Sequence, residues 1–137
     1  MKRVVVIGAN FAGSTAALEI KRRMKQEVEV TVIDPHENFL YFPSLIWVPI
    51  GRRRLDQVLI PRRPVFKKRG INFVLDSALS IDPDTQQVKT AHETYAYDEL
   101  IIATGPKVHR DVAPGVAENA CYIGSIDGAR EARERLA

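Results

Sequence analysis

The sequence of 137 residues predicts an α/β domain of three layers, built on a parallel sheet and carrying a small antiparallel meander. Three observations predict it. A β-branched run, Val4–Ile7, stops at Gly8, gives way to helical spacing, and is followed by a second such run. Leu100-Ile101-Ile102-Ala103 is another short apolar run, halted by Thr104-Gly105-Pro106. Between them lie short segments around Ile81, Val88, Tyr95 and Tyr97, set apart by turn signals.

Each element has a local reason. Val4–Ile7 has the continuous apolar character of a strand buried on both faces. Ala16, Ala17, Ile20 and Met24 recur at helical spacing, with charged residues mostly off that face, so a helix runs from Ala12 to about Lys25. Val28, Val30, Val32 and Ile33 form the next strand, ending at Asp34-Pro35, and complete a βαβ unit. Pro43 and Pro49 forbid a regular helix or central strand in Phe39–Ile50, which reads as a folded-over loop with short helical pieces. Pro61 and Pro64 flank a short helix that Gly70 ends, and Ile71–Leu75 is a third strand. Asp82-Pro83-Asp84 and the residues near His92 mark the turns of the meander. Asp127 is placed to cap a helix through Ala129 to Leu136.

Composition narrows the class. With 45% hydrophobic and 27% charged residues, the chain has enough apolar surface to fold as one domain spanning 1–137. No stretch approaches the ~18 apolar residues of a membrane span. The basic start followed by Val4–Ile7 breaks at Gly8, too early for a signal peptide. A single cysteine excludes a disulfide framework and a cysteine-based zinc site, and suits a reducing compartment. His36, His92 and His109 are dispersed without metal-ligand spacing, so no metal is expected.

Net charge is only +3, but residues 52–69 hold eight cations against one acid, Asp56. That segment is therefore +7 and the remainder −4. It reads either as a solvated face or as a surface for an anionic partner such as a membrane. Without interleaved aromatics it is no stacking platform, and no nucleic-acid partner is expected.

The chemistry-bearing motif is Gly8-Ala9-Asn10-Phe11-Ala12-Gly13, which matches G-x-G-x-x-G except that Asn10 stands at the middle glycine. Gly8 permits the tight turn after the strand. Gly13 permits close helix–strand packing. A pyrophosphate then meets the unpaired N–H groups and positive dipole end of the helix. Asn10 tolerates left-handed backbone better than most residues. Asp34 lies about 20 residues beyond, at the end of the next strand, where a carboxylate accepts a hydrogen bond from a ribose 2′-hydroxyl and repels a 2′-phosphate. His36 follows that acid closely enough to brush an adenosine. The alternative for Asp34-Pro35 is a plain strand-ending turn.

Gly8–Gly13, Asp34, and the run Tyr97-Asp98 through Ala103-Thr104-Gly105 resemble the flavoproteins with two dinucleotide-binding domains related to glutathione reductase. Within that superfamily, Phe39-Leu40-Tyr41-Phe42-Pro43-Ser44-Leu45-Ile46-Trp47-Val48, Gly51, Ile60-Pro61, Lys67-Lys68-Arg69-Gly70-Ile71 and Ala103-Thr104-Gly105-Pro106-Lys107 resemble the sulfide:quinone oxidoreductases. The resemblance implies a Rossmann-like FAD-binding fold. It implies an enzyme that oxidises sulfide and passes electrons through FAD to a membrane quinone. Residue by residue it implies that Gly8, Asn10, Ala12 and Gly13 meet the pyrophosphate, with Ala9, Phe11 and Pro35 also among the cofactor-binding residues. Asp34 would meet the adenosine ribose, and Ala78 the adenine through its backbone. Phe42 and Pro43 would lie near the flavin end, and Thr104 and Gly105 along the cofactor.

The resemblance has departures. The family is about three times as long, so the chain reads as an N-terminal fragment, expected to be inactive alone. Gly124 stands where many members have a catalytic cysteine, and the one cysteine, Cys121, comes three residues earlier. Cys121 is thus either a catalytic thiol or a small buried hydrophobe. Two other functions remain open: an NADH:quinone or other pyridine-nucleotide-dependent flavoprotein reductase, and a nucleotide-binding module without redox chemistry. The expected location is cytoplasmic, with peripheral attachment to an anionic membrane surface as an option; the oligomeric state is open.

Overall fold

The computed structural model describes residues 1–109 and 113–136. The chain forms two compact units, one of residues 1–39 and 61–105, the other of residues 40–60 and 106–137.

The first unit holds a four-stranded parallel sheet of β1 (Lys2–Ile7), β2 (Val28–Asp34), β5 (Asn72–Leu75) and β9 (Glu99–Ile102), in the order β5-β2-β1-β9. The chain steps outward from β1 to β2 to β5, then returns to place β9 on the other side of β1. Strand order therefore reverses at β1, and the crevice beyond the carboxyl ends there is where open α/β sheets bind ligands. Two further strands, β3 (Asn38–Leu40) and β4 (Leu59–Pro61), mark where the chain leaves this unit and re-enters it.

One sheet face is covered by α1 (Phe11–Met24) and α2 (Arg62–Lys68): Val4, Val6, Val28, Val30, Val32 and Phe73 pack with Ala17 and Phe66. The other face is covered by the meander of β6 (Ala78–Asp82), β7 (Gln87–Thr90) and β8 (Thr94–Ala96), through Val5, Ile7, Ile33, Val88 and Tyr97. This gives the three layers and explains why β2 is buried at every position except Glu29.

The fold corrects two local readings. Pro64 lies inside α2 rather than beside it, because its missing N–H falls in the first turn, where no intrahelical partner exists. Asn10 sits at φ −85°, so the left-handed tolerance assigned to it is not used.

The second unit is built on a 3₁₀ segment, Phe42–Trp47, a short turn at Leu55–Gln57, the single turn α3 (Val116–Asn119) and α4 (Ile126–Leu136). Leu45, Val48, Val58 and Ala129 form its core. Here too a reading is corrected. Asp127 is inside α4, and Ser125 Oγ accepts the Gly128 N–H at 3.1 Å, making Ser125 the cap.

Candidate functional site

The loop between β1 and α1 is shaped by what it cannot hold. Gly8 has φ +91°, and a Cβ there would stand 2.3 Å from the Ala103 carbonyl oxygen. A Cβ on Gly13 would stand 1.8 Å from the Gly8 carbonyl oxygen and 3.3 Å from the Ala103 Cβ. Both glycines are thus required by contact: α1 presses on the loop, and the loop on the end of β9. Ser14 ties the loop back, its Oγ donating to the Ala9 carbonyl at 2.6 Å and its N–H to the Asn10 carbonyl at 2.9 Å. No side chain caps α1, and its first turn holds no acid. Its leading edge, with Asn10 and Ala12 exposed, is an anion-receptive helix start of the kind a pyrophosphate occupies.

Asp34 is the hinge of the site. Its carboxylate is buried, with 8% of the side chain exposed. Oδ2 accepts the Ala9 N–H at 2.7 Å, so the residue at the end of β2 holds the loop after β1 directly. Oδ1 accepts the His36 N–H at 2.8 Å and Arg62 Nη1 at 3.0 Å, with His36 Nδ1 at 3.2 Å. Oδ2 therefore keeps one of its two acceptor directions unfilled by the described residues. The motif context leads one to expect this acid at a ligand; the structure shows it holding the loop.

Arg62 is the residue that sequence reasoning missed. It opens α2 with its side chain 5% exposed, and Nη1 also donates to the His36 carbonyl at 2.5 Å. Burial pushes its guanidinium below the ordinary arginine range, against the opposing pull of Asp34. Its Nε–H is buried with no acceptor. An orphan of that kind costs about 1–3 kcal/mol. One signal was legible: Arg62 and Phe66 are four apart, and a helix with Phe66 in the core turns Arg62 inward.

Around these groups lies a cleft of about 250 Å³, lined by Ile7, Gly8, Ile33, Asp34, Pro35, His36, Ser77, Ala78 and Thr104. The fold thus brings Gly8, Asp34, Pro35, Ala78 and Thr104 together. They come from the carboxyl ends of β1, β2 and β9 and the start of β6. Ala9 is buried behind them, and the exposed Phe11 ring meets Phe39 edge-on at 4.9 Å. Gly105 follows Thr104, exposed and at φ +78°. The volume is below the ~300–1,000 Å³ of a whole drug-sized ligand pocket, a size for the nucleoside part of a dinucleotide. Apolar walls with one carboxylate suit an adenine and its ribose, and the uncapped helix start beside them suits phosphates. The residues present therefore fit a dinucleotide.

The remaining candidates lie in the second unit. Phe42 and Pro43 open the 3₁₀ segment and are exposed. Cys121 is a half-buried free thiol.

A larger hollow, about 660 Å³, lies at the opposite, amino edge of the sheet, lined by Lys21, Arg22, Lys25, Lys68 and Arg69 among others. Its cations belong to the last turns of α1 and α2 and the residues just beyond, where the helix dipole favours them.

Comparison with known proteins agrees with this geometry. Residues 2–136 match the family model described as pyridine nucleotide-disulphide oxidoreductase. The sulfide-quinone reductase of Aquifex aeolicus is 33% identical over 98% of this chain and 31% of its own length. A type II NADH:quinone oxidoreductase of Staphylococcus aureus is 30% identical over 95% of this chain and 33% of its own. The crystal structure of the sulfide:quinone oxidoreductase from Aquifex aeolicus superposes with a TM-score of 0.89 at 33% identity, over 99% of this chain and 32% of that one. The chain thus spans about a third of the length of these relatives. A Rossmann-like α/β sheet with its glycine loop at the switch point, and a family match over nearly every residue, lead to one conclusion: the chain belongs to the pyridine nucleotide-disulphide oxidoreductases, a family of flavoprotein oxidoreductases.

Proposed function

We propose that this chain is the N-terminal, FAD-binding portion of a longer flavoenzyme that oxidises sulfide and delivers the electrons to a quinone. The observation that carries the cofactor reading is the convergence of Gly8, Asp34, Ala78 and Thr104 on one cleft beside an uncapped helix start. The α1 N-terminus, approached over Gly8–Gly13, would receive the pyrophosphate on backbone N–H groups. Asp34, paired with Arg62, would accept a ribose hydroxyl. Ala78 would border the adenine, and Thr104 and Gly105 would line the path toward the isoalloxazine, with Phe42 and Pro43 near that end. Bound FAD would supply two-electron chemistry at its isoalloxazine; this chain supplies binding, orientation and exclusion of water.

The sulfide reading is supported by the Aquifex aeolicus relative, at 33% identity. A second reading, NADH as the reductant, is supported by the type II NADH:quinone oxidoreductase relative at 30% identity. Both relatives are named for quinones, so a quinone is the acceptor under either. Cys121 is proposed as a thiol of the sulfide step only under the first reading. No helix among the described residues is long and apolar enough to cross a membrane. Electrostatic contact with the membrane that holds the quinone would come from the cations of 52–69, drawn to anionic lipid.

The test is a titration followed by an assay. The isolated chain should take up FAD, seen as a shifted visible flavin band that survives gel filtration, and should not reduce quinone with sulfide. Failure to take up FAD would remove the cofactor reading. Turnover by the isolated chain would remove the reading of it as one part of the enzyme. In the whole protein, sulfide-dependent quinone reduction exceeding NADH-dependent reduction is expected; the reverse would favour the second reading.

A further inference from the structure

Arg62 is buried where an apolar residue would pack at lower cost. It gives up solvation, leaves Nε without an acceptor, and still spends its Nη1 on two acceptors, the Asp34 carboxylate and the His36 carbonyl. Its own backbone N–H donates to the Glu37 carbonyl at 3.2 Å. The whole turn from Asp34 to Glu37 is therefore clamped by one residue, 28 positions beyond the acid it holds. The clamp is anchored, because Phe66, one turn further along α2, sits in the core against Phe73 with ring centroids 5.5 Å apart. A removed charge partner leaves a buried carboxylate uncompensated, so the pair acts as a unit.

We propose that Arg62 is a positioning residue of the nucleotide site, acting through Asp34 to decide which carboxylate oxygen meets the ligand. Oδ1 accepts from the His36 N–H and from Arg62 Nη1, with His36 Nδ1 3.2 Å away. With Oδ1 so occupied, Oδ2 is left to join the Ala9 N–H to a ribose hydroxyl. Without Arg62, Oδ1 keeps only its His36 partners and the carboxylate loses its tie to α2, so the oxygen shared by the loop contact and the hydroxyl contact is less tightly aimed. The residue thus sets recognition of the sugar rather than of the base or the phosphates. This rests on the reading of the cleft as the adenosine site.

The experiment measures ADP and 2′-deoxy-ADP binding by calorimetry to the unsubstituted chain, Arg62→Met and Arg62→Lys, with circular dichroism to verify folding. The unsubstituted chain should prefer ADP by about tenfold or more, the value of one hydrogen bond to a charged acceptor. Arg62→Met should lose most of that preference while its affinity for 2′-deoxy-ADP changes little. Arg62→Lys should retain it, since a single ammonium can serve both acceptors that Nη1 now serves. Should Arg62→Met not fold, Arg62→Gln carries the same test, with an intermediate preference expected. Full preference in Arg62→Met or, where that variant does not fold, in Arg62→Gln, or an equal loss of both ligands in the methionine and lysine variants, would overturn the positioning role. No saturable ADP binding by the unsubstituted chain would instead overturn the adenosine-site reading beneath it.

Discussion

The two edges of the parallel sheet are built on opposite terms. At the amino edge, charge is paired in the open: Lys2 Nζ meets Glu99 at 2.8 Å and Arg3 Nη2 meets Asp98 at 2.9 Å, all with substantially exposed side chains. At the carboxyl edge, the ion pair of Asp34 with Arg62 is buried, a donor goes unsatisfied, and two glycines fit backbone too close for any side chain. Exposed pairs of the first kind add little and lose little when removed. The second kind is costly to assemble and more costly to break. The edge that accepts internal strain and desolvation is also the edge at which open α/β sheets place a ligand crevice.

The largest expected effect is at the glycines. Gly13→Ala drives a Cβ into the Gly8 carbonyl and should cost about 3 kcal/mol or more in urea unfolding, with loss of FAD uptake. A near-neutral result would show that the loop relaxes freely and break the contrast. Next comes Asp34→Ala, which strands Arg62 as a buried cation and should cost about 3–5 kcal/mol. Combining it with Arg62→Met should recover part of that loss, and strict additivity would deny that the two residues act as a unit.

The amino edge should respond mildly. Lys25 ends α1 at φ +50°, the left-handed side that favours glycine. Lys25→Gly should leave stability unchanged or raise it by up to about 1 kcal/mol, with ADP binding unaltered. Smallest is the acid response of Asp98. Hydrogen bonds from the Arg3 side chain and backbone hold its carboxyl at about 2, below the ordinary 3.8. Its folded-state value is depressed, so its contribution is whole above the ordinary value and is lost as pH falls through about 2. Asp98→Asn should therefore flatten the decline of the thermal midpoint between about pH 4 and 2, leaving ADP binding at pH 7 unchanged. A collapse of binding in this variant would mean that the two edges are not independent.

Much of this was legible because the sheet announces itself. β1, β2 and β9 read as apolar runs stopped by glycine or Asp-Pro, α1 as a 3.6-residue repeat, and the meander as short segments between turns. The glycines and Asp34 followed from strand–turn–helix context. What escaped depends on which partner each side chain meets once the chain is folded. The cations of 52–69 read as one charged stretch, yet each has its own fate. Arg52 lies over the Trp47 ring at 5.4 Å, Arg54 pairs with Asp56 at 2.7 Å, and Arg63 lies over Phe73 at 5.8 Å. Arg62 goes inward to an acid 28 residues earlier. Nothing in Arg62-Arg63 alone separates a core arginine from a surface one; only the four-residue step to Phe66 does. Ser125 escaped for a smaller reason, since two capping residues stood two apart and the backbone chose the earlier.

The most direct test of the carboxyl-edge site is a ¹H–¹⁵N titration of the chain with FAD. The amides of Ala9, Asn10, Gly13, His36 and Ala78 should shift together along one saturable curve, while Lys25 and Gly70 at the amino edge stay fixed. Shifts confined to the amino edge, or none at the glycine loop at saturation, would contradict the assignment.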